Sequence, residues 1–272
     1  MTNVKQILTA FLATAFLGVQ ASTIMLVDFQ NVHTDPGAAW NTIASNSASN
    51  QALNDTTGAP SGINLSLSGW SNSANTNAFS QARNEAPSWD TEANVVNAAD
   101  DRFFLGASSS ASLTLSNLDP NLTYSIELIS SSQSTLSGGG ANTAGNPPAY
   151  YRIQDPDGTV DAYNGFDNTL LTNNDPDNQP GGATAGWAAW STSYYGNTHP
   201  SFSGSEFGVE GWLSWSNIKP DASGQIVLNV QTLSGDSRGA INAMQITAIP
   251  EPGTLLLVGI ALGSLLIFRR RR

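Results

Sequence analysis

Apolar residues in the interior of this chain recur at every second position, in short runs closed by Pro, Gly, Asp or Asn. A period of two is strand geometry, because successive side chains point to opposite faces of the pleat. Ile63, Leu65 and Leu67 alternate with Asn64, Ser66 and Ser68, and Leu113 alternates with Thr114 before Leu115. Tyr124, Ile126 and Leu128 share one face beyond a tight Asp119-Pro120-Asn121 turn, which predicts a hairpin or a corner between sheets. Ile24 to Phe29 is continuously apolar up to Asp28 and too short for a helix, so it reads as a buried strand. Asp28 there reads as a structural carboxylate near a strand end. Tyr150-Tyr151-Arg152-Ile153 faces Thr159 to Tyr163 across Asp155-Pro156-Asp157-Gly158, a hairpin signal. Further strands are expected at Gly211–Trp215, Gln225–Val230 and Ile241–Ile249. Ala44–Pro60 and Trp70–Trp89 lack a period and are expected to be loops, and no interior segment shows helical periodicity. The pattern predicts an all-β fold, a β-sandwich of jelly-roll type.

Charge limits what such a domain can bind. Setting aside Lys5 and the four terminal arginines leaves five of ten basic residues; setting aside Glu251 leaves twenty of twenty-one acids, a net charge of −15. That field repels nucleic acid and anionic lipid and admits neutral sugars and cations. No cysteine is present, which excludes disulfides and thiol chemistry. Asp155 to Asp161 has the acid content of a calcium loop, but counting back from Gly158 puts Ile153 at the first ligand position. It reads as a hairpin turn with solvated aspartates, as does Asp175-Pro176-Asp177. A structural Ca²⁺ is compatible with the composition, but the sequence places no metal ligand, and no cofactor is implied. His33 and His199 sit in neither a G-x-S-x-G nor an H-E-x-x-H context, so no catalytic residue is assigned.

The two ends differ from the interior. Lys5 precedes an apolar run from Ile7 to Val19, and Val19-Gln20-Ala21 has the small-residue pattern of a signal-peptide cleavage site, placing the cut after Ala21. The C-terminus reads Pro250-Glu251-Pro252, then an uncharged run from Thr254 to Phe268, then Arg269, Arg270, Arg271 and Arg272. Each proline pushes the residue before it toward extended geometry, so the tripeptide is a stiff non-helical segment. The apolar run spans about 22 Å as a helix, slightly short of the ~30 Å hydrocarbon core. The arginines would hold its end at the cytoplasmic face.

This order of elements resembles the PEP-CTERM sorting domain of exported Gram-negative proteins. The resemblance implies recognition at Pro250, Glu251 and Pro252 by an exosortase, a membrane-embedded cysteine transpeptidase that cuts near the motif. The inner membrane would then be a transient partner before processing. The expected organisation is a signal peptide over 1–21, a β-domain with long polar loops over 22–249, and a sorting tail over 250–272.

A second resemblance runs through the interior. Leu26-Val27-Asp28-Phe29, Trp40-Asn41, Leu118-Asp119-Pro120 before Tyr124, Lys219 to Gly224 and Ile241 to Ile246 are similar, in order, to galactose-binding-like jelly rolls. That group includes many carbohydrate-binding modules, and its motifs here are turn and core residues that transfer no binding residue. Aromatics are dense between Trp187 and Trp215. Trp187, Trp190, Tyr194 and Tyr195 form the candidate sugar platform, since aromatic faces stack on sugar C–H groups; packing is the alternative. Trp212 and Trp215 have the spacing of opposite strand faces, so at least one belongs to the core. The expectation is an exported surface or extracellular-matrix protein, structural, adhesive or glycan-binding, with extracellular polysaccharide as a candidate partner. The alternative is a secreted polysaccharide hydrolase, whose paired carboxylates twenty acids cannot single out.

Overall fold

The computed structural model describes residues 22–29, 36–72, 88–99, 102–106, 108–130, 149–164, 188–190, 212–232 and 239–250. The chain divides into Thr23–Ala248 and a second unit made of Met1–Ser22 with Ile249–Arg272. Only Ser22, Ile249 and Pro250 of the second unit fall among the described residues.

In chain order the strands are β1 (Thr23–Asp28), β2 (Trp40–Thr42), β3 (Gln51–Asn54), β4 (Pro60–Ser68), β5 (Ser71–Asn72), β6 (Phe103–Leu105), β7 (Ser110–Ser116) and β8 (Leu122–Ile129). They continue as β9 (Ala149–Asp155), β10 (Gly158–Thr159), β11 (Tyr163–Asn164), β12 (Ala188–Trp190), β13 (Trp212–Ile218), β14 (Ile226–Gln231), β15 (Gly239–Ile241) and β16 (Ala243–Pro250). Among the described residues one helix, α1 (Glu92–Ala99), accompanies them. Six strands form one sheet in the order β11-β13-β8-β16-β1-β2. Seven form another, β10-β9-β14-β7-β4-β3 with β12 on β9, and β15-β6-β5 form a third. Apart from that helix the described residues form only strands and turns, the all-β class that the period-two pattern predicts.

Burial alternates along the strands for the reason the pattern gives. Ile63, Leu65 and Leu67 of β4 and Tyr124, Ile126 and Leu128 of β8 are buried while the residues between them are not. Inward residues of both large sheets, among them Met25, Leu113, Ile126, Trp215, Leu228 and Ile246, join a single apolar cluster. Each such side chain contributes about 1.5–3 kcal/mol by leaving water, so this shared core is the main force holding the sheets together.

Two of the connections between the large sheets are short and pinned by aspartates. β7 passes to β8 through the Asp119 turn, where Asp119 Oδ1 accepts the Asn121 N–H at 2.9 Å. The Asp119 N–H in turn donates to the Tyr124 hydroxyl at 2.9 Å. The Asp-Pro-Asn turn is therefore a corner between sheets. β13 passes to β14 through Asp221, whose Oδ1 accepts the Ser223 and Gln225 N–H groups at 2.8 and 2.9 Å. The two corners touch: the Leu118 N–H donates to the Gly224 carbonyl at 3.0 Å. Gly224 is at φ +68°, and a Cβ there would lie 2.8 Å from the Leu118 carbonyl oxygen.

Several expectations need correction. Ala44–Pro60 is not all loop: Gln51–Asn54 pairs with β4 and buries Leu53. Trp70–Trp89 is tied down at both ends. Trp70 is buried, its indole N–H donates to the Ser112 carbonyl at 3.0 Å, and β5 follows it. The absence of helical periodicity hid α1, whose sequence EANVVNAA carries two valines and two asparagines. Those residues cost a few tenths of a kcal/mol each in helix propensity. Burial of Val95, Ala98 and Ala99 against Leu26, Trp40, Ile129 and Ala243 outweighs that cost. This packing also explains the continuous apolar run of β1, which is buried on both faces: Met25 and Val27 face the main core and Leu26 faces the helix. The expected hairpin after β9 is cut to the two residues of β10, and β11 crosses to the other large sheet. The final expected strand is broken at Asn242, whose side-chain amide donates to the Ala99 carbonyl at 3.0 Å.

Candidate functional site

Strand parity places the chemistry on the outer face of the six-stranded sheet. Since Tyr124, Ile126 and Leu128 point inward, Glu127 projects outward from β8 and is half-buried. In β13 the same parity buries Trp215 completely and leaves Trp212 outside and half-buried, so the two tryptophans do lie on opposite faces.

Two indoles converge on the carboxylate. Glu127 Oε2 accepts the Nε1–H of Trp212 and the Nε1–H of Trp89, each at 2.9 Å. The two rings stand perpendicular, 89° apart with centroids 6.2 Å from each other, the edge-to-face arrangement that aromatic quadrupoles favour. Among the described residues Glu127 Oε1 meets only the Gln245 amide, at 3.5 Å, the outer limit of hydrogen bonding.

Trp89 is held there by the start of α1. Asp90, next in sequence, accepts the Trp40 indole N–H at 2.9 Å and the Asn94 amide at 3.0 Å through Oδ2, and the Thr91 N–H at 2.7 Å through Oδ1. Burial raises the Asp90 pKa, but the bonds from Trp40, Asn94 and Thr91 outweigh it and hold the carboxyl below its ordinary value. Thr91 caps the helix, its Oγ1 accepting the Asn94 N–H at 3.4 Å. Consecutive residues 89 and 90 thus make two indole–carboxylate bonds that clamp the helix start to the sheet.

Register extends the site into a row. Tyr163 of β11 lies opposite Ser214 of β13, and Ser214 lies opposite Glu127. Gln245 of β16 follows, with Leu26 of β1 opposite it. Tyr163, Ser214, Glu127 and Gln245 are all half-buried. They form a hydroxyl, hydroxyl, carboxylate and amide series about 14 Å long at ~4.8 Å per strand. The strip beyond Gln245 is covered by α1. A partly open row of hydrogen-bonding groups beside two indoles can bind a polyhydroxylated ligand. Sequence reading missed it because Trp89, Glu127 and Trp212 are far apart in the chain, although the alternation of β8 already turned Glu127 outward.

The chain ends leave from the other half of this sheet. β1 and β16 are antiparallel, and Thr23 pairs with Ala248. The last described residue, Pro250, ends β16 and is half-buried. Residues 248–272 match the model of the PEP-CTERM protein-sorting motif. The chain ends in a PEP-CTERM sorting motif. That motif implies export, membrane-anchored sorting in Gram-negative bacteria, and processing by an exosortase. No curated protein matches the chain. Among solved structures, the enzymatically active domain of tailspike protein 4 from bacteriophage CBA120 is similar at 13% identity and a TM-score of 0.23, over 70% of this chain and 19% of that one. The chain spans about a fifth of that protein's length.

Of the PEP-CTERM residues, Pro250 is described, while Glu251, Pro252 and Arg269 to Arg272 lie outside the described residues, as does the signal cleavage residue Ala21. Among the described residues no helix is long and apolar enough to cross a membrane, and Thr254–Phe268 is not among them. Of the expected sugar platform, Trp187, Tyr194 and Tyr195 also lie outside, and only the backbone of Trp190 is described, paired with Ala149 at the end of β12. No group of three or more metal-ligating side chains occurs among the described residues. The Asp155–Gly158 segment is a hairpin turn, with Asp155 Oδ1 accepting the Asp157 N–H at 3.0 Å and Asp157 paired to Lys219 at 2.6 Å. Asp28 ends β1 and is buried.

Proposed function

We propose that this is a cell-surface or extracellular-matrix protein whose β-domain binds a glycan in a structural or adhesive role. The PEP-CTERM motif at 248–272 carries the reading, because it sends the domain to the compartment where extracellular polysaccharide is the abundant partner. Residues 1–21 act as the signal peptide, cleaved after Ala21, and Thr254–Phe268 as the transmembrane helix that holds the chain until Pro250-Glu251-Pro252 is processed. The domain is a jelly roll of galactose-binding-like type. Support for that comes from β7, β8 and β9, and again β13, β14 and β16, alternating between the two large sheets.

The glycan reading is supported by the Tyr163–Ser214–Glu127–Gln245 row with Trp89 and Trp212 beside it. Indole surface supplies stacking, and the hydroxyl, carboxylate and amide groups supply directed hydrogen bonds. The fragment Ser22–Ile249 contains every core residue among those described, so a glycan array on that fragment is the test. Retention of oligosaccharides without turnover is expected. Release of new reducing ends would replace this reading with the hydrolase, and failure to retain any glycan would remove the binding role.

A further inference from the structure

We infer that the Glu127 site takes a sugar bearing a free ammonium group, such as the de-N-acetylated hexosamine of a polysaccharide. This rests on the glycan-binding reading above and names the chemistry that the same site selects.

The argument starts from the acceptor count. A carboxylate offers about four lone-pair positions, and among the described residues Glu127 meets three donors, two indole N–H groups on Oε2 and the distant Gln245 amide on Oε1. Oε1 is therefore the under-used oxygen. All three donors are neutral. Of the basic residues described, Lys219 pairs with Asp157, Arg152 belongs to β9 in the other large sheet, and Arg102 precedes β6. None of these three pairs with Glu127, so among the described residues its half-buried carboxylate has no cationic partner, in surroundings less polarisable than water.

Three features then decide what completes it. A metal ion needs several oxygen ligands, and Glu127 is ringed by nitrogen donors instead. An anionic sugar would meet both this carboxylate and a domain of net charge −15. An ammonium group satisfies Oε1 with a charge-assisted bond and can lie against an indole face of the perpendicular Trp89–Trp212 pair. Ser214 and Tyr163, next in the row, are placed for the hydroxyls of the same or an adjoining sugar ring.

The test is calorimetric titration of Ser22–Ile249 with three oligosaccharides of equal length, made of glucosamine, N-acetylglucosamine or glucose. Glucosamine should bind tightest, and Glu127→Gln should weaken it by roughly tenfold or more, about the worth of one charge-assisted hydrogen bond. The amide oxygen of that variant still accepts both indole N–H groups, so its melting temperature should stay near that of the parent. Were the variant not to fold, salt titration of the parent decides, because binding that leans on this charge weakens as ionic strength rises. Preference for the acetylated or neutral chain, a salt-independent affinity, or unchanged binding by Glu127→Gln overturns the inference while leaving glycan binding intact. No binding of any of the three removes both.

Discussion

Arg102 is 4% exposed, and its Nε and Nη1 have no hydrogen-bond partner among the described residues. Burial alone lowers its pKa from 12.5 to about 10. A buried guanidinium kept charged at neutral pH with two of its three nitrogens lacking acceptors is a net cost to the fold. Arg102→Met is therefore expected to be more stable, by on the order of 1–4 kcal/mol, measured by urea unfolding at pH 7. A loss of stability would show that Arg102 is held by an interaction that offsets its burial. Asp90 carries the opposite sign. Its carboxyl is held below the ordinary value of 3.8 in the folded state, so its stabilising effect is complete above that value and is lost as pH falls through the lower folded value. Asp90→Asn should be less stable than the parent at pH 7, with the gap closing only in strong acid. A gap that persisted there would mean the charge is not what stabilises. The residues of the Glu127 site were partly legible in the sequence. The Tyr124-Ile126-Leu128 alternation and the Trp212–Trp215 spacing both gave the correct faces. Partnership was not legible, because Trp89 reaches Glu127 only after α1 folds against β1 and β16.

Among the elements, those with a strong local signal were recovered: β1, the centre of β4, and β7 and β8 with the Asp119 corner between them. Those that depend on tertiary contact were not. α1 has poor helix formers and exists because one face is buried. β3 contributes one buried residue, Leu53, and is defined by its pairing with β4. β5, β6 and β15 are two or three residues long, below the length at which any periodicity can be read. The turn leading into β5 is a sensitive point. Gly69 is at φ +79°, and a Cβ there would sit 2.5 Å from the Ser110 carbonyl oxygen. Gly69→Ala should cost more than about 1 kcal/mol, since both the backbone conformation and the space are incompatible with a side chain. A melting temperature unchanged by this substitution would contradict the close approach of β4 and β7 at that end.

For the whole molecule, the pairing of Thr23 with Ala248 has a direct consequence. The domain is closed by its first and last strands, and every core residue among those described lies between Met25 and Ala248. Removing the segments beyond Ser22 and Pro250 takes away none of them. Such a design suits a domain delivered by one terminal segment and released from another. Pro250 is both the last residue of β16 and the first of the Pro-Glu-Pro tripeptide, so the proposed processing would fall within a few residues of the closing strand. Changing Pro250, Glu251 and Pro252 to alanine should leave the domain folded while full-length chain accumulates in the inner membrane. The most direct measurement is the intact mass of the protein recovered outside the cell. Export with sorting predicts an N-terminus at Ser22 and a C-terminus near Pro250-Glu251-Pro252, with the apolar run and the arginines gone. A recovered form still ending in Arg269 to Arg272 would contradict it.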